Sequence, residues 1–326
     1  MKQLRRPVSV LGLALVAALA ACAESDSVKC KVGADCASGI CNADGTCEPE
    51  SSSTTSDGGT GGSGAGSSSG GGGTGGTTSN GGTGGTGGDG GSGACPANQD
   101  GTITAEEVPL GPGFSAKFKV SGDATFDTTG DEQADGTRIW DFAAMLSGDH
   151  TVLAETLPLD GAWYENDFAG ATYATRLSDG ADLLGVFEVA PDALLLRGVV
   201  SPEDGFTATN LSYDPPVPVL TFPMKKGDTW ETTSTVTGLA SGVFSAYTET
   251  YVSEVDATGE AITPFATFPV IRVNTELTRI VGALVTTTRT QAFVTECFGS
   301  VATVVSQTNE LGAEFTDAAE VRRLSP

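Results

Sequence analysis

The sequence predicts an all-β globular domain in which antiparallel strands form one curved sheet with an up-and-down meander. From Phe114 onward, where all aromatic residues of the chain lie, apolar and polar residues alternate with period two in runs rich in Val, Thr, Phe and Tyr. This alternation is typical of half-buried strands. Gly, Asp and Pro separate the runs, and no long stretch has helical periodicity. A two-sheet β-sandwich is the alternative architecture.

The first of four predicted segments, residues 1–21, has the pattern of a secretory signal peptide. Three cations, Lys2, Arg5 and Arg6, precede an apolar run over residues 8–21. This run is too short to cross a bilayer as a helix, which takes about 20 residues. We expect export by the Sec route, because Pro7 and Val8 fit the twin-arginine motif poorly.

The second segment, residues 22–50, begins with a cysteine that follows Leu19-Ala20-Ala21. This stretch resembles the lipobox of bacterial lipoproteins. The resemblance implies cleavage before Cys22, a diacylglycerol thioether on its sulfur and acylation (palmitate) of the new N-terminus. The membrane is then a partner through the lipid anchor, and Ala23 in place of Asp favours the outer membrane, on its periplasmic face or at the cell surface.

Four further cysteines, Cys30, Cys36, Cys41 and Cys47, follow within twenty residues. Residues 35–41, Asp-Cys-Ala-Ser-Gly-Ile-Cys, resemble short segments of lipoproteins from myxobacteria and their relatives. Four cysteines permit three disulfide pairings, among which the sequence does not choose. Disulfides are favoured over a zinc site, because the spacing differs from that of zinc ribbons and exported proteins meet an oxidising compartment.

The third segment, residues 51–94, is composed almost wholly of Gly, Ser and Thr and holds 21 of the 45 glycines. Such a chain buries too little apolar surface to offset its ordering entropy. We therefore expect a disordered linker with a root-mean-square span of roughly 33–40 Å.

The fourth segment, residues 95–326, is the predicted β domain. Strands are expected over residues 114–120, 244–253, 269–281, 284–295, 300–307 and 315–324. Turn signals lie at Asp160-Gly161, Asp179-Gly180, residues 226–228 and Thr258-Gly259. Residues 139–146 are ambiguous and could carry a short helix.

Two short stretches of this domain, residues 220–230 and 262–270, are similar to segments of bacterial envelope lipoproteins with half-barrel sheets. The resemblance implies a half-barrel or lipocalin-like body and identifies no ligand. Once Cys22 is set aside, six cysteines remain, of which Cys95 and Cys297 lie at the two ends of the domain. We predict that these two form a disulfide, with two buried thiols as the alternative.

Calcium is the only cofactor for which the sequence offers candidates. Residues from Asp100 to Glu107 resemble the second half of an EF-hand loop, although Pro96 occupies the first ligand position and provides no side-chain oxygen. A second acidic stretch contains Asp127, Asp131 and Asp135, and a polar hairpin loop is the preferred interpretation there.

The sequence shows no catalytic motif outside its low-complexity part. The single histidine, His150, lies in a turn-like stretch and is expected to be a solvated side chain. The net charge of −24 argues against binding to nucleic acid. We expect a non-enzymatic envelope lipoprotein that binds an apolar ligand, a lipid, or an envelope protein or polysaccharide. An adhesion or structural module is the alternative, and a carboxylate-based hydrolase is the third hypothesis.

Overall fold

The computed structural model describes Cys95 and residues 97–326, so the predictions for the signal peptide, the Cys-rich segment and the linker lie outside the described residues. Two 3-10 turns, Ala105–Glu107 and Glu165–Asp167, are the helical elements of this part, and none of its helices has the length and apolarity to span a membrane. The strands are β1 (Thr102–Ile103), β2 (Ser115–Thr125), β3 (Asp131–Glu132), β4 (Arg138–Asp141), β5 (His150–Leu157), β6 (Tyr173–Arg176), β7 (Leu184–Ala190), β8 (Ala193–Val200), β9 (Asn210–Thr221), β10 (Met224–Lys225), β11 (Thr229–Ala240), β12 (Val243–Ile262), β13 (Thr267–Val281), β14 (Leu284–Thr295), β15 (Gly299–Ser306) and β16 (Asp317–Leu324).

Twelve of these strands form one closed antiparallel barrel. Their order around the ring is β2-β5-β6-β7-β8-β9-β11-β12-β13-β14-β15-β16, and β16 pairs with β2 to close it. Each strand lies beside the next barrel strand in the chain, which is the arrangement of an up-and-down meander. The predicted all-β fold with a curved antiparallel sheet is therefore confirmed, and the sheet closes on itself.

Apolar side chains pack on both faces of this sheet. The largest cluster draws Phe187, Val217, Val273 and Val294 from opposite walls, and it therefore fills the barrel interior. A second cluster lies where the segment after β2 packs on the outer face of β13 and β14, with the Trp140 and Phe293 rings 4.9 Å apart. A third surrounds residues 159–168 and covers the outside of β6 to β8.

Two local predictions are wrong. Residues 139–146 form no helix, because β4 extends through Asp141 and pairs in parallel with the end of β12. Thr258-Gly259 is not a turn but lies inside β12. The glycine is required there for another reason: a Cβ on Gly259 would stand 1.8 Å from the Arg138 carbonyl oxygen, so only glycine lets β4 approach.

The two ends of the barrel differ. Residues 95–110 close the end at which β2 begins, where β1 pairs with β10 and Ile103 and Val108 enter the interior cluster. We call this the plugged end. The turns between β11 and β12 and between β13 and β14 lie at the opposite end, which we call the hairpin end.

Candidate ligand-binding cavity

A cavity of about 440 Å³ lies inside the barrel. Side chains from two opposite walls, β6 to β9 and β12 to β15, line it. Its volume falls within the range of pockets that bind small molecules, and its lining is mainly apolar, as such pockets usually are. The apolar lining includes Tyr173, Phe187, Leu194, Val273, Ala292 and Val294.

Strand alternation determines which side chains reach this cavity, because every second residue of a strand faces the same side. In β12, Tyr251 and Ser253 face inward together, while Val252 between them is 47% exposed. Ser253 pairs with Thr275 of β13, and their hydroxyl oxygens are 2.9 Å apart. The wall formed by β12 and β13 therefore adds polar groups to a mainly apolar cavity.

A carboxylate is buried on the inner face of the barrel next to this wall. Glu249 has no exposed surface, and each of its oxygens accepts a hydrogen bond. The Tyr251 hydroxyl donates to Oε2 at 2.5 Å, and Arg279 Nε donates to Oε1 at 2.6 Å. The Arg279 guanidinium also lies 5.4 Å from the centre of the Tyr247 ring. Because Arg279 neutralises the carboxylate, this charge is tolerated in the interior.

The tyrosines around this carboxylate stay protonated at neutral pH. Burial raises the pKa of Tyr213 and of Tyr251 well above 10, and the charge of Glu249 raises both further. Burial also raises the pKa of Tyr173 to about 12. The phenol groups are therefore neutral, and that of Tyr251 orients the carboxylate beside the cavity wall.

One buried hydroxyl near this cluster lacks a partner. Ser234 lies opposite Glu249 on the neighbouring strand, and it faces inward like Val236 two residues later. Its side chain is fully buried, and no group in the described part of the chain hydrogen-bonds to Oγ. Buried polar groups are normally paired, so Ser234 is an exception within the described part of the chain.

The cavity reaches solvent beside β6. This strand has only four residues and pairs with β5 at only two positions, so the barrel wall is short there. Arg176 and Leu177 line the cavity and are also exposed, and Arg176 pairs with Asp182 at 2.8 Å. We call this opening the mouth of the cavity.

The predicted disulfide lies at the plugged end. Cys95 and Cys297 are joined, with their Cα atoms 5.6 Å apart, in agreement with the prediction from the cysteine count. The Cys297 backbone N–H also donates to the Glu107 carbonyl at 2.6 Å. These bonds hold residues 95–110, the plug, on the barrel. The lipidation candidate Cys22 and the cysteines at 30, 36, 41 and 47 lie outside the described residues.

Most of the calcium candidates accept hydrogen bonds from neighbouring residues. Glu107 is buried, and its carboxylate accepts from Thr104 and Asn98. The Asp100, Asp127 and Asp135 carboxylates each accept from a backbone N–H two residues later, and Asp131 lies in the exposed strand β3. No cluster of three metal-binding side chains occurs among the residues that the structure describes. Calcium binding stays a prediction.

His150 lies outside the cavity, at the start of β5. Its ring is half exposed, and Nε2 is 2.8 Å from a carboxylate oxygen of Asp179. The Gly148 carbonyl and, to a smaller extent, Asp179 raise the pKa of the imidazole.

The residues that form the cavity were missed by sequence reasoning. A signal was present: Tyr247, Glu249 and Tyr251 share one face of β12, and Arg279 lies at the paired position of β13. A carboxylate among aromatic residues on an inward face indicates a buried charge with a partner. The pattern did not reveal which face of the sheet is inward, because that depends on closure of the barrel. Comparisons with protein-family models, with curated proteins and with solved structures found no match for this chain.

Proposed function

We propose that this chain is a lipid-anchored envelope protein whose barrel binds one small amphiphilic molecule in its interior. The observation that carries the proposal is the cavity between the opposite barrel walls, which combines a mainly apolar lining with hydroxyl groups. An interior of this kind favours ligands that are mostly apolar and carry a few hydrogen-bonding groups.

The layout of the cavity indicates how such a ligand would lie. Its apolar part would contact Phe187, Val273 and Val294, and its polar part would face Ser253 and Thr275. The ligand would enter through the mouth, where Arg176 and Leu177 are exposed. The Glu249–Arg279 pair would stabilise the polar wall without adding net charge, so neutral polar groups would fit best there.

The lipid anchor part of the proposal depends on the sequence pattern around Cys22. Metabolic labelling with palmitate tests it through a covalent signal. We expect label in the intact chain and none in Cys22→Ala, and label retained by Cys22→Ala would contradict the assignment of this cysteine.

Titration with an uncharged apolar fluorophore, N-phenyl-1-naphthylamine, tests the cavity. We use the mature form that the lipobox implies, from residue 22, carrying Cys22→Ala so that no acyl chain competes. Ala292→Trp places a large ring inside the cavity, and we expect the fluorescence increase to be lost. Ala246→Trp makes the same change at an exposed position of β12 and serves as the matched control.

Native mass spectrometry of the protein extracted from its own envelope then identifies the ligand class. We expect a bound molecule on the intact chain and none on Ala292→Trp. Equal probe binding by both tryptophan variants, together with no bound molecule on the intact chain, would refute ligand binding inside the barrel.

A further inference from the structure

Two hairpin turns at the hairpin end expose apolar side chains to solvent. At the start of β12, directly after the turn from β11, Val243 is 67% exposed and Phe244 is 72% exposed. At the start of β14, directly after the turn from β13, Leu284 is 63% exposed and Val285 is 54% exposed. We call residues 239–244 and 280–285 the hairpin tips. Isolated exposed apolar residues are common, but clusters at adjacent turns usually mark an interaction site.

A third loop joins the first of these tips. The connection between β8 and β9 hydrogen-bonds to it, since the Gly242 N–H donates to the Ala208 carbonyl and the Ser241 N–H donates to Thr209 Oγ1. This loop carries Phe206, whose side chain is 99% exposed. Phe206 and Phe244 therefore extend the exposed apolar surface across neighbouring connections.

The tips carry no charge, although the chain as a whole has a net charge of −24. Residues 239–248 and residues 280–288 contain no acidic or basic side chain, and Ser, Thr, Gly and Ala are the remaining residue types beside the apolar ones and one Tyr. The tips themselves therefore offer no ionic attraction to a charged partner, and the loop of Phe206 adds two exposed acidic residues, Glu203 and Asp204. Uncharged tips of this kind are best matched by a partner surface without net charge.

The shape of the tips also favours one kind of partner. The apolar side chains that flank these protruding turns form two separate convex points, because β12 extends beyond the turn that joins β13 to β14. Two separate convex points need a deformable apolar medium or matching pockets in a partner. The boundary between lipid headgroups and acyl chains is such a medium, and it accommodates aromatic and aliphatic side chains of this kind.

We propose that the hairpin tips insert into the headgroup boundary of a bilayer with zwitterionic lipids. Insertion would be shallow, because the guanidinium of Arg279, whose side chain is 45% exposed, directly precedes the second tip. The acidic body would weaken binding to anionic lipids by repulsion. This inference goes beyond ligand binding and does not depend on it, since the tips are separate from the residues that line the cavity.

Vesicle flotation tests the proposal with the chain from residue 22 carrying Cys22→Ala, so that attachment does not depend on an acyl chain. We expect it to float with phosphatidylcholine vesicles, and less when phosphatidylglycerol is added. Phe244→Asp and Leu284→Asp should each weaken binding about tenfold or more, the factor expected when one apolar side chain no longer becomes buried. Leu153→Asp is the matched control, because Leu153 is 54% exposed on β5, outside the tips.

Three results would overturn the proposal: no flotation of the parent chain, equal flotation of the tip variants and the parent, or equal weakening by Leu153→Asp. Thermal unfolding of each variant verifies that the barrel is intact. Sedimentation equilibrium without vesicles tests the alternative partner, a second copy of this chain. A dimer that Phe244→Asp dissociates would assign the tips to that contact and not to a bilayer. Probe binding in the cavity is measured without vesicles, so failure of one proposal leaves the other testable.

Discussion

At the scale of single residues, the outer face of the barrel contains a buried ion pair. Arg323 is 1% exposed, and its guanidinium donates to both carboxylate oxygens of Asp149, at 2.8 and 2.5 Å. Such a pair adds little net stability compared with apolar packing, but the loss of one partner leaves a buried charge without compensation. The pair therefore fixes the segment before β5 against β16.

We predict that Asp149→Ala lowers the free energy of unfolding by about 3–5 kcal/mol, because Arg323 then stays buried and unpaired. Urea denaturation at neutral pH measures this change. Asp182→Ala removes a pair in which both side chains are substantially exposed, and it should cost less than about 1 kcal/mol. Equal losses in the two variants would contradict the assigned role of burial.

The same pair makes stability depend on pH in a defined direction. Burial raises the pKa of Asp149, but hydrogen bonds from Arg323 and the Leu146 N–H outweigh it, so the pKa lies below its ordinary value of 3.8. A depressed pKa adds stability above the unfolded-state value, and this stability is lost as the pH falls through the folded-state value. The difference between the parent and Asp149→Ala should therefore shrink below about pH 4.

At the scale of strands, Gly259 shows how one residue positions an element. The short strand β4 lies against the end of β12, and it carries Trp140, the largest side chain that is fully buried. A side chain at Gly259 would collide with the β4 backbone. The glycine therefore permits the contact on which the outer cluster depends.

We predict that Gly259→Ala destabilises the domain by about 1–3 kcal/mol, because β4 must move away from β12 and loosen the packing of Trp140. Gly180→Ala is the control, since nothing lies within 4 Å of a Cβ at Gly180 and its φ lies outside the left-handed region. Denaturation curves and Trp fluorescence report the two changes. A neutral effect of Gly259→Ala on both would rule out the steric role.

Two strands in which apolar and polar residues alternate were predicted, whereas two strands whose residues are mostly buried were missed. The stretch 284–295 coincides with β14, and 269–281 lies within β13. In contrast, no strand was predicted for β7 or β8, whose residues are mostly buried. The interior cluster covers one face of these strands and the third cluster covers the other, so their apolar residues run without alternation.

At the scale of the whole molecule, the disulfide joins segments that are 202 residues apart and holds the plug at one end of the barrel. We predict that the double variant Cys95→Ser/Cys297→Ser lowers the free energy of unfolding by about 2–5 kcal/mol, the usual cost of losing a native disulfide. Reduction of the parent chain should shift its denaturation midpoint in the same direction. A midpoint unchanged by either treatment would contradict a stabilising bridge.

Both the cavity and the exposed hairpin tips result from closure of the barrel. It encloses the inward faces of opposite walls around one cavity and leaves the hairpin tips outside at one end. The candidate site residues of the sequence, Asp100, Glu107, Asp127, Asp131 and Asp135, are absent from the cavity lining. They were calcium candidates, with a polar hairpin loop preferred for the second acidic stretch, and calcium binding there stays a prediction. In the structure, Asp100, Asp127 and Asp135 accept hydrogen bonds from nearby backbone N–H groups.

The sequence by itself predicted the division at the Gly-rich stretch, the all-β class of residues 95–326 and the pairing of Cys95 with Cys297, and the structure confirms the last two. The division follows from composition, the all-β class from period-two alternation and the pairing from the number of cysteines. Each of these properties is local or additive along the chain. Only the tertiary structure decided that β2 and β16, from the two ends of the domain, pair and close the sheet. Period two separates the two faces of each strand but leaves open which face points inward. Closure determines which face points inward. It therefore brings the Glu249–Arg279 pair together with the residues that line the cavity.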